Sequence, residues 1–277
     1  AAEAAQSRKQ TDLQTMRLLL IRHADPEYHG DSITPEGRKQ AAALAERLAA
    51  EDPPVTRLFS SPMGRARATA EAAAASLGLP LEIEDWTKEL VDWPKWMNCD
   101  ARPGEGGWAI WDIAGELARG SDIPHTHGTQ WELLHDGQEI QKLYQNLCER
   151  SDEFFRRLGF EREEGSKYRI LSSAAKAPHR RSQVAVVCHG GFGLTWLAHL
   201  LQLPPVVTYS SFWLAPSSVT TILFEERTKE FAVPRCIGLS DLSHCYKAGL
   251  SIPLSRYEKP NVCYDGNRPS GLKANIY

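Results

Sequence analysis

The chain has 277 residues, of which 42% are hydrophobic and 24% charged, and this composition is that of a folded globular protein rather than a disordered one. Lysine and arginine total 32 against 35 aspartates and glutamates, a formal net charge of −3. A mildly acidic chain lacks the clustered basic excess that nucleic-acid binding requires, so we expect no nucleic-acid partner. No apolar run approaches the ~18–20 residues that cross a bilayer, so we expect no membrane partner either.

The beginning of the chain and its cysteines bear on location. Residues 1–15 are rich in alanine, glutamine and charge and have no apolar core of the kind found in signal peptides, which predicts an N-terminal extension. The six cysteines show no C-x-x-C pair and no zinc-ligand spacing with histidine, and thiols of this kind are typical of a reducing compartment. The sequence therefore predicts a cytoplasmic protein.

The first half of the chain alternates between strand and helix patterns. The apolar run Arg17–Ile21 has the length of a buried strand, and Thr34, Pro35 and Glu36 form a helix start, with a hydroxyl cap, a proline at the first position and an acidic first turn. A second unit repeats this pattern, with a strand over 56–59 and Ser61 and Pro62 as cap and first helical residue. A third strand is predicted over 81–83.

The second half of the chain continues the alternation. Residues 138–158 carry an apolar stripe at helical spacing, and a helix over 192–201 follows a buried strand over 184–188. Strands are also predicted over 219–224 and, at an edge of the sheet because of Pro234, over 231–237. The alternation favours an α/β fold, a three-layer α/β/α sandwich around a mostly parallel sheet.

One long segment interrupts this pattern. Residues 91–136 combine many glycines and prolines with five tryptophans, and the segment is too long for a simple connection. We interpret it as an aromatic-rich insertion in a single domain that spans 16–277. Its tryptophans either form a small satellite core or build a lid that selects an apolar leaving group.

Basic and imidazole side chains follow two of the predicted strands. Arg22 and His23 end the first strand, His189 and Gly190 follow the strand over 184–188, and Arg65 lies in the first turn of the second helix. In a parallel sheet, the carboxyl ends of the strands share the edge where helix N-termini bind anions. The two histidines and two arginines are therefore expected to converge on one anion.

This combination of residues suits phosphoryl transfer. The guanidinium groups of Arg22 and Arg65 can hold the oxygens of a transferring phosphoryl group, and a neutral imidazole nitrogen of His23 can attack phosphorus. His189, expected to be cationic beside a dianion, would donate to an equatorial oxygen. The leaving alkoxide also needs a proton, which a nearby carboxyl group would supply.

Four blocks resemble the histidine phosphatase superfamily, in its phosphoglycerate mutase-like branch, and they occur in the expected order: LLLIRHADP (18–26), ITPEGRKQAAALAERL (33–48), SSPMGRARATA (60–70) and VVCHGGFG (186–193). The resemblance implies a three-layer fold and a phosphohistidine intermediate without a metal or other cofactor. It assigns the nucleophile to His23 and the phosphate cradle to Arg22, Arg65 and His189, and we add Gly190 as a phosphate-binding residue.

The proton donor is assigned from position alone. The family often has an acidic residue in an L-x-E context about one strand beyond the block at 60–70, which selects Glu89, although Thr87 stands where a leucine is usual. Asp92 is the second candidate, followed by Asp85 and Glu84.

The chain departs from the mutases of this branch. It lacks their Ser/Thr-x-Trp-Asn stretch after the first histidine, and Gly191 replaces the asparagine expected after the second His-Gly pair. These differences favour hydrolysis, so we expect a metal-independent phosphomonoesterase whose partner is a small phosphomonoester. The alternatives are a phosphoglycerate-mutase-like phosphotransferase and a catalytically weak protein that binds a phosphorylated ligand.

Two further clusters have a structural and a functional interpretation. His125, His127 and His135 are close in sequence but have no recognised metal-ligand spacing, so we expect them to bind no metal. The basic stretch Lys176–Ser182 is interpreted as a solvated loop, with an entrance for polyanionic substrates as the alternative.

Overall fold

A computed structural model describes residues 16–94, 109–113, 115–118, 131, 134, 136–171 and 183–251. Its strands are β1 (Met16–Arg22), β2 (Pro26–Glu27), β3 (Ser32–Ile33), β4 (Val55–Ser60), β5 (Leu81–Ile83), β6 (Phe160–Glu163), β7 (Lys167–Ile170), β8 (Gln183–Cys188), β9 (Val219–Glu226) and β10 (Phe231–Asp241). Its helices are α1 (Pro35–Ala49), α2 (Gly64–Leu77), α3 (Gly115–Ala118), α4 (Gly137–Arg157), α5 (Gly190–Leu201), α6 (Pro205–Ser211) and α7 (Ser243–Lys247).

Eight of the strands form one sheet in the order β5-β4-β8-β1-β9-β10-β7-β6. Three neighbouring pairs, β5-β4, β4-β8 and β8-β1, are parallel, as predicted. The other four pairs, β1-β9, β9-β10, β10-β7 and β7-β6, are antiparallel. The sheet is therefore mixed rather than mostly parallel. The difference arises because β6 and β7, and likewise β9 and β10, are joined by short hairpin connections instead of crossover helices.

The side chains of β1 and β8 alternate between two apolar layers, which confirms the three-layer α/β/α prediction. On one face, Leu19 and Ile21 pack with Ala185 and Val187 against α1 and α2. On the other face, a larger cluster that includes Leu18 and Leu20 packs against α4 and α5. Both faces of the central strands are thus covered by apolar side chains, so polar groups that follow these strands lie at their ends.

Helix α1 begins as the sequence predicts, since Thr34 accepts a hydrogen bond from the Gly37 N–H and Pro35 is the first helical residue. Helix α2 does not. It begins at Gly64 after an uncapped Met63, so the prediction that Ser61 and Pro62 start this helix is wrong. The hydroxyl of Ser61 instead contacts His189 at 2.8 Å, and this tertiary contact takes the place of a local cap.

Pro234 is expected in an edge strand, but it belongs to β10, which lies between β9 and β7 in the sheet. It pairs with Phe224 of β9, whereas the pairing of β10 with β7 is limited to Phe231 and Ala232. The other side of β10 at Pro234 is therefore unpaired, so the missing N–H costs no ladder hydrogen bond. None of the described helices is long and apolar enough to cross a membrane.

Candidate active site

The candidate site lies at the carboxyl ends of β1 and β8. These strands are parallel neighbours with Arg22 opposite Cys188, so the residues that follow them, His23 and His189, emerge side by side. Their ring centroids are 5.2 Å apart in an edge-to-face arrangement. The predicted meeting of the two histidines is thus observed, and both rings are almost fully buried, at 2% and 0% exposure.

The hydrogen bonds of His23 define which of its nitrogens carries the proton. Nδ1 lies 2.8 Å from the carbonyl oxygen of Ala24, which can only accept, so the proton is on Nδ1. Nε2 accepts a hydrogen bond from Arg65 Nε at 3.3 Å. The lone pair of Nε2 therefore faces the Arg65 guanidinium group.

The residue after His23 is an alanine, and the surrounding structure accommodates its methyl group. Ala24 is fully buried, and its N–H donates to Thr69 Oγ1 of α2 at 2.9 Å. This contact ties the chain after β1 to the helix that carries Arg65. It therefore fixes the nucleophile candidate relative to one of the cradle arginines.

The second histidine is neutral in this site. Burial lowers the pKa of His189 well below its usual value, and the charges of His23, Arg65 and Arg22 lower it further. Burial and the neighbouring positive charges thus favour the neutral imidazole, whereas the expectation of a cationic His189 concerns the site with a phosphate dianion and stays a prediction.

Ser61 orients His189. Its Oγ accepts a hydrogen bond from the Met63 N–H at 3.3 Å and lies 2.8 Å from His189 Nε2. The Ser61 hydroxyl has one proton to donate, and we assign this proton to the hydrogen bond with Nε2, in which case the imidazole proton of His189 is on Nδ1. Sequence reasoning missed this role, because a serine before a proline is the usual signal of a helix cap.

Two buried nitrogen atoms at the site have no hydrogen-bond partner among the described residues. They are Nδ1 of His189 and Nε of Arg22. Buried polar atoms without a partner are rare in folded proteins and often mark the place of a ligand or an ordered water. Arg22 is otherwise held by a hydrogen bond from Nη1 to the carbonyl oxygen of Leu214 at 2.6 Å.

Gly190 allows the start of α5 to approach this guanidinium group. A Cβ atom at Gly190 would lie 3.2 Å from Cζ of Arg22, which is tighter than most side-chain contacts. The N-terminus of α5 and Arg22 thus line the same small space. Both favour a negative charge there.

The structure brings Glu89 to the start of α5. Its carboxylate oxygens accept hydrogen bonds from the N–H groups of Phe192 at 2.8 Å and Gly191 at 3.2 Å. The Met63 sulfur connects this segment with the cradle, since it lies 3.4 Å from Glu89 N and 3.7 Å from Arg65 Nη2. The carboxylate of Glu89 thus contacts the backbone of the two residues that follow Gly190.

The other proton-donor candidates are not held in this way. Asp92 is exposed, and the side chain of Asp85 is 85% exposed. Glu84 accepts hydrogen bonds from Trp86 Nε1 at 2.9 Å and from Arg157 at 2.8 Å, so its carboxylate is already paired with a cation on α4. Among the four candidates, Glu89 alone contacts the α5 N-terminus.

Three tryptophans of the segment 91–136 are described, and they differ in environment. Trp131 is buried and packs against Tyr144 of α4, as a satellite core predicts. The ring of Trp111 lies against the backbone of Gly191, beside the Glu89 carboxylate. Trp93 is half-buried against the main core.

Several residues singled out in the sequence lie outside the described residues: Trp96, Trp108, His125, His127, His135 and the basic stretch 176–182. Among the described residues, no group of three or more acidic, histidine or cysteine side chains is arranged to hold a metal ion.

Comparison with known proteins relates part of the chain to a family. Residues 18–104, which include His23, Arg65 and Glu89, match the family model described as Histidine phosphatase superfamily (branch 1). Over these residues the chain is similar to the histidine phosphatase superfamily. No curated protein matches it by sequence.

Two solved structures share the fold of this chain. The phosphoserine phosphatase of Entamoeba histolytica, in complex with 3-phosphoglyceric acid, has a TM-score of 0.52 at 20% identity over 82% of this chain and 98% of its own. A structure named mycobacterial hydrolase 1 has a TM-score of 0.52 at 19% identity, again over 82% and 98%. At these identities the likeness concerns the fold.

Proposed function

We propose that the protein is a phosphomonoesterase that transfers the phosphoryl group of a small phosphomonoester to Nε2 of His23 and then to water. The observation that carries this proposal is the protonation of His23. Because Nδ1 donates to the Ala24 carbonyl oxygen, the lone pair is on Nε2, the nitrogen that faces Arg65. A nucleophile with this orientation needs no deprotonation before it attacks.

In the first step, a bond forms between His23 Nε2 and phosphorus while the bond from phosphorus to the leaving oxygen breaks. Arg65, Arg22 and the His189 Nδ1–H would hold the three peripheral oxygens, whose charge grows in the transition state. Two of these groups, Arg22 Nε and His189 Nδ1, are buried and have no hydrogen-bond partner among the described residues. Both are therefore available to bind the oxygens of the substrate.

In the same step, Glu89 acts as the general acid and donates a proton to the leaving alkoxide. The resulting carboxylate then takes a proton from water as this water attacks the phosphohistidine, which releases inorganic phosphate and restores His23. The contacts of Glu89 with the N–H groups of Gly191 and Phe192 support the assignment, because these residues directly follow His189 and Gly190. The phosphatase from Entamoeba was crystallised with 3-phosphoglyceric acid, and we propose a substrate of the same class, a small phosphorylated metabolite.

We expect the reaction to be metal-independent, because the cradle supplies two guanidinium groups to balance the charge of the phosphoryl group. The test is phosphate release by the purified protein from p-nitrophenyl phosphate, phosphoserine, 3-phosphoglycerate and an alkyl phosphate. Turnover should persist after dialysis against EDTA and be blocked by vanadate, which mimics five-coordinate phosphorus. A loss on chelation that Mg²⁺ or Zn²⁺ restores would contradict the metal-independent mechanism.

The same assays separate the alternatives. A phosphotransferase would interconvert phosphoglycerates faster than it releases phosphate. A protein that only binds a phosphorylated ligand would take up vanadate without turnover of any ester. We expect release of phosphate to dominate, and either other result would overturn the assignment as a hydrolase.

A further inference from the structure

An aspartate that no motif singles out lies beside the start of α2. Asp31 is in the turn between β2 and β3, and its backbone is in the left-handed region, with φ of 43°. Its carbonyl oxygen is so close to Gly64 that a Cβ atom there would overlap it. The turn and the first residue of α2 therefore fit together only because residue 64 is glycine.

The carboxylate of Asp31 makes two contacts across this junction. Oδ2 accepts the Gly64 N–H at 2.6 Å, which supplies the cap that α2 lacks locally, and Oδ1 accepts from Arg65 Nη1 at 2.6 Å. Partial burial raises the pKa of Asp31, but the hydrogen bonds from Gly64 and Arg65 outweigh it and hold this pKa below its usual value. The group is a carboxylate at any pH near neutrality.

These contacts link Asp31 to the nucleophile candidate. Arg65 is 6% exposed, and while its Nη1 is held by Asp31, its Nε points at His23 Nε2 at 3.3 Å. The guanidinium group is planar, so one fixed edge sets the direction of the others. Nη2 lies 3.7 Å from a weak acceptor, the sulfur of Met63.

We infer that Asp31 is a positioning residue for phosphoryl transfer: it clamps Arg65 so that Nε and Nη2 are directed toward the oxygens of an anion at His23. This inference rests on the proposed function, because it assigns the arginine to the phosphate cradle. A side chain held in place before the substrate arrives loses less conformational entropy on binding. The clamp therefore strengthens binding of the anion although it brings a negative charge close to it.

Two other roles for Asp31 predict different effects of its removal on the affinity for an anion. If Asp31 acted as an internal competitor that occupies Arg65 in place of phosphate, its removal would free the arginine and tighten anion binding. If it only stabilised α2, its removal would lower the melting temperature and leave the affinity for an anion unchanged in the folded protein. The affinity for vanadate thus separates the three roles.

The experiment measures vanadate affinity by titration calorimetry and kcat/KM on p-nitrophenyl phosphate for the full chain and for Asp31→Ala, Asp31→Asn and Arg65→Ala. We expect Asp31→Ala to weaken vanadate binding and lower kcat/KM by ~10-fold or more, and Asp31→Asn, which keeps one acceptor oxygen, to lose less. In the Arg65→Ala background, Asp31→Ala should have no further effect, because it acts through the arginine. Tighter or unchanged vanadate binding by folded Asp31→Ala, or an effect of equal size in the Arg65→Ala background, would overturn the inference.

A matched control is the ion pair between Arg57 and Glu82, which joins β4 to β5 by two hydrogen bonds away from the histidines. Glu82→Gln removes a carboxylate of similar exposure and should leave vanadate binding and kcat/KM unchanged. If the wild-type chain binds vanadate but hydrolyses no ester, the proposed function fails while the binding data still decide the role of Asp31. If the wild-type chain binds no vanadate, both fail.

Discussion

The imidazole rings of His23 and His189 lie edge to face with centroids 5.2 Å apart, although the two histidines are 166 positions apart in the sequence (189 − 23). Parallel pairing of β1 with β8 brings this about, since Arg22 and Cys188 are partners in register and each precedes a histidine. The hydrogen bonds then distinguish the two rings. His23 presents the lone pair of Nε2 to a cation, whereas the buried Nδ1 of His189 has no hydrogen-bond partner in the part of the chain that the structure describes.

The first prediction concerns His23. His23→Ala removes Nε2 and with it the covalent intermediate, so phosphate release should fall by ~10³-fold or more while the circular dichroism spectrum is kept. His29, which is exposed, serves as the control, and His29→Ala should retain wild-type turnover. A folded His23→Ala protein with wild-type turnover would exclude a phosphohistidine mechanism.

The second prediction concerns the proton donor. Glu89→Gln keeps the shape of the side chain and one acceptor oxygen for the N–H groups of α5, but removes the acid. General acid catalysis contributes ~10²–10⁴-fold where the leaving group is a poor one, so turnover of an alkyl phosphate should fall much more than turnover of p-nitrophenyl phosphate.

The matched comparison is Asp92→Asn, at an exposed carboxyl three residues further on. It should show no difference between the two substrates. The reverse pattern for the two variants would make Asp92 the acid. Equal losses on both substrates for Glu89→Gln would instead show that the contacts of Glu89 with α5 position this helix.

Much of this site is predictable from sequence because it depends on strand ends. The apolar runs before His23 and His189 define two buried strands, and buried strands of an α/β sheet have their carboxyl ends at one edge. Arg65 follows from the same rule, since it lies in the first turn after β4. These predictions need only the order of elements and no knowledge of side-chain contacts.

The contacts of Ser61 and Asp31 are not predictable in this way. Ser61 precedes a proline and has the pattern of a helix cap, yet its hydroxyl contacts His189, and the cap of α2 comes from Asp31 more than thirty residues earlier in the chain. A tertiary contact therefore outweighs the local preference in both cases. In the antiparallel half of the sheet, the sequence predicts strands over 219–224 and 231–237, where β9 and β10 lie, but it does not predict β6 and β7, which have four residues each and weak apolar patterns.

The third prediction tests the orientation of His189. Ser61→Ala removes the partner of Nε2, so the imidazole proton should no longer be confined to Nδ1 and kcat/KM should fall by about 10-fold, the value of one hydrogen bond. Nitrogen-15 NMR of the His189 ring reports the proton position directly. Ser60→Ala is the matched control, because Ser60 is equally buried but donates to the Ser61 carbonyl oxygen. If Ser60→Ala reduced kcat/KM as much as Ser61→Ala, the loss would come from packing and not from the tautomer.

The last prediction concerns the stability of the fold at acidic pH, through a histidine remote from the chemistry. His244 of α7 is 4% exposed, with Nε2 3.1 Å from Ser217 Oγ and Nδ1 3.4 Å from Arg47 Nη1. Burial and, to a smaller extent, the charge of Arg47 lower the pKa of His244 to about 4, against smaller opposing effects of Asp241 and of the hydrogen bond with Ser217. In the unfolded chain this histidine takes up its proton near pH 6.5, so between these two values the unfolded state binds more protons than the folded state.

The free energy of unfolding should therefore be fully retained above about pH 6.5 and decrease as the pH falls toward 4, by about 3 kcal/mol for this group. The lowered pKa of His189 acts in the same direction. Urea denaturation at pH 7, 5.5 and 4.5 measures the effect. His244→Gln can still bond to Ser217 but does not titrate, so it should be less stable at pH 7 and lose less stability on acidification. The exposed His29 is again the control, since His29→Gln should follow the wild-type curve. If His244→Gln lost stability in parallel with the wild type, another group would be responsible for the acid sensitivity. His189 would then be the first candidate, because burial beside positive charges also lowers its pKa.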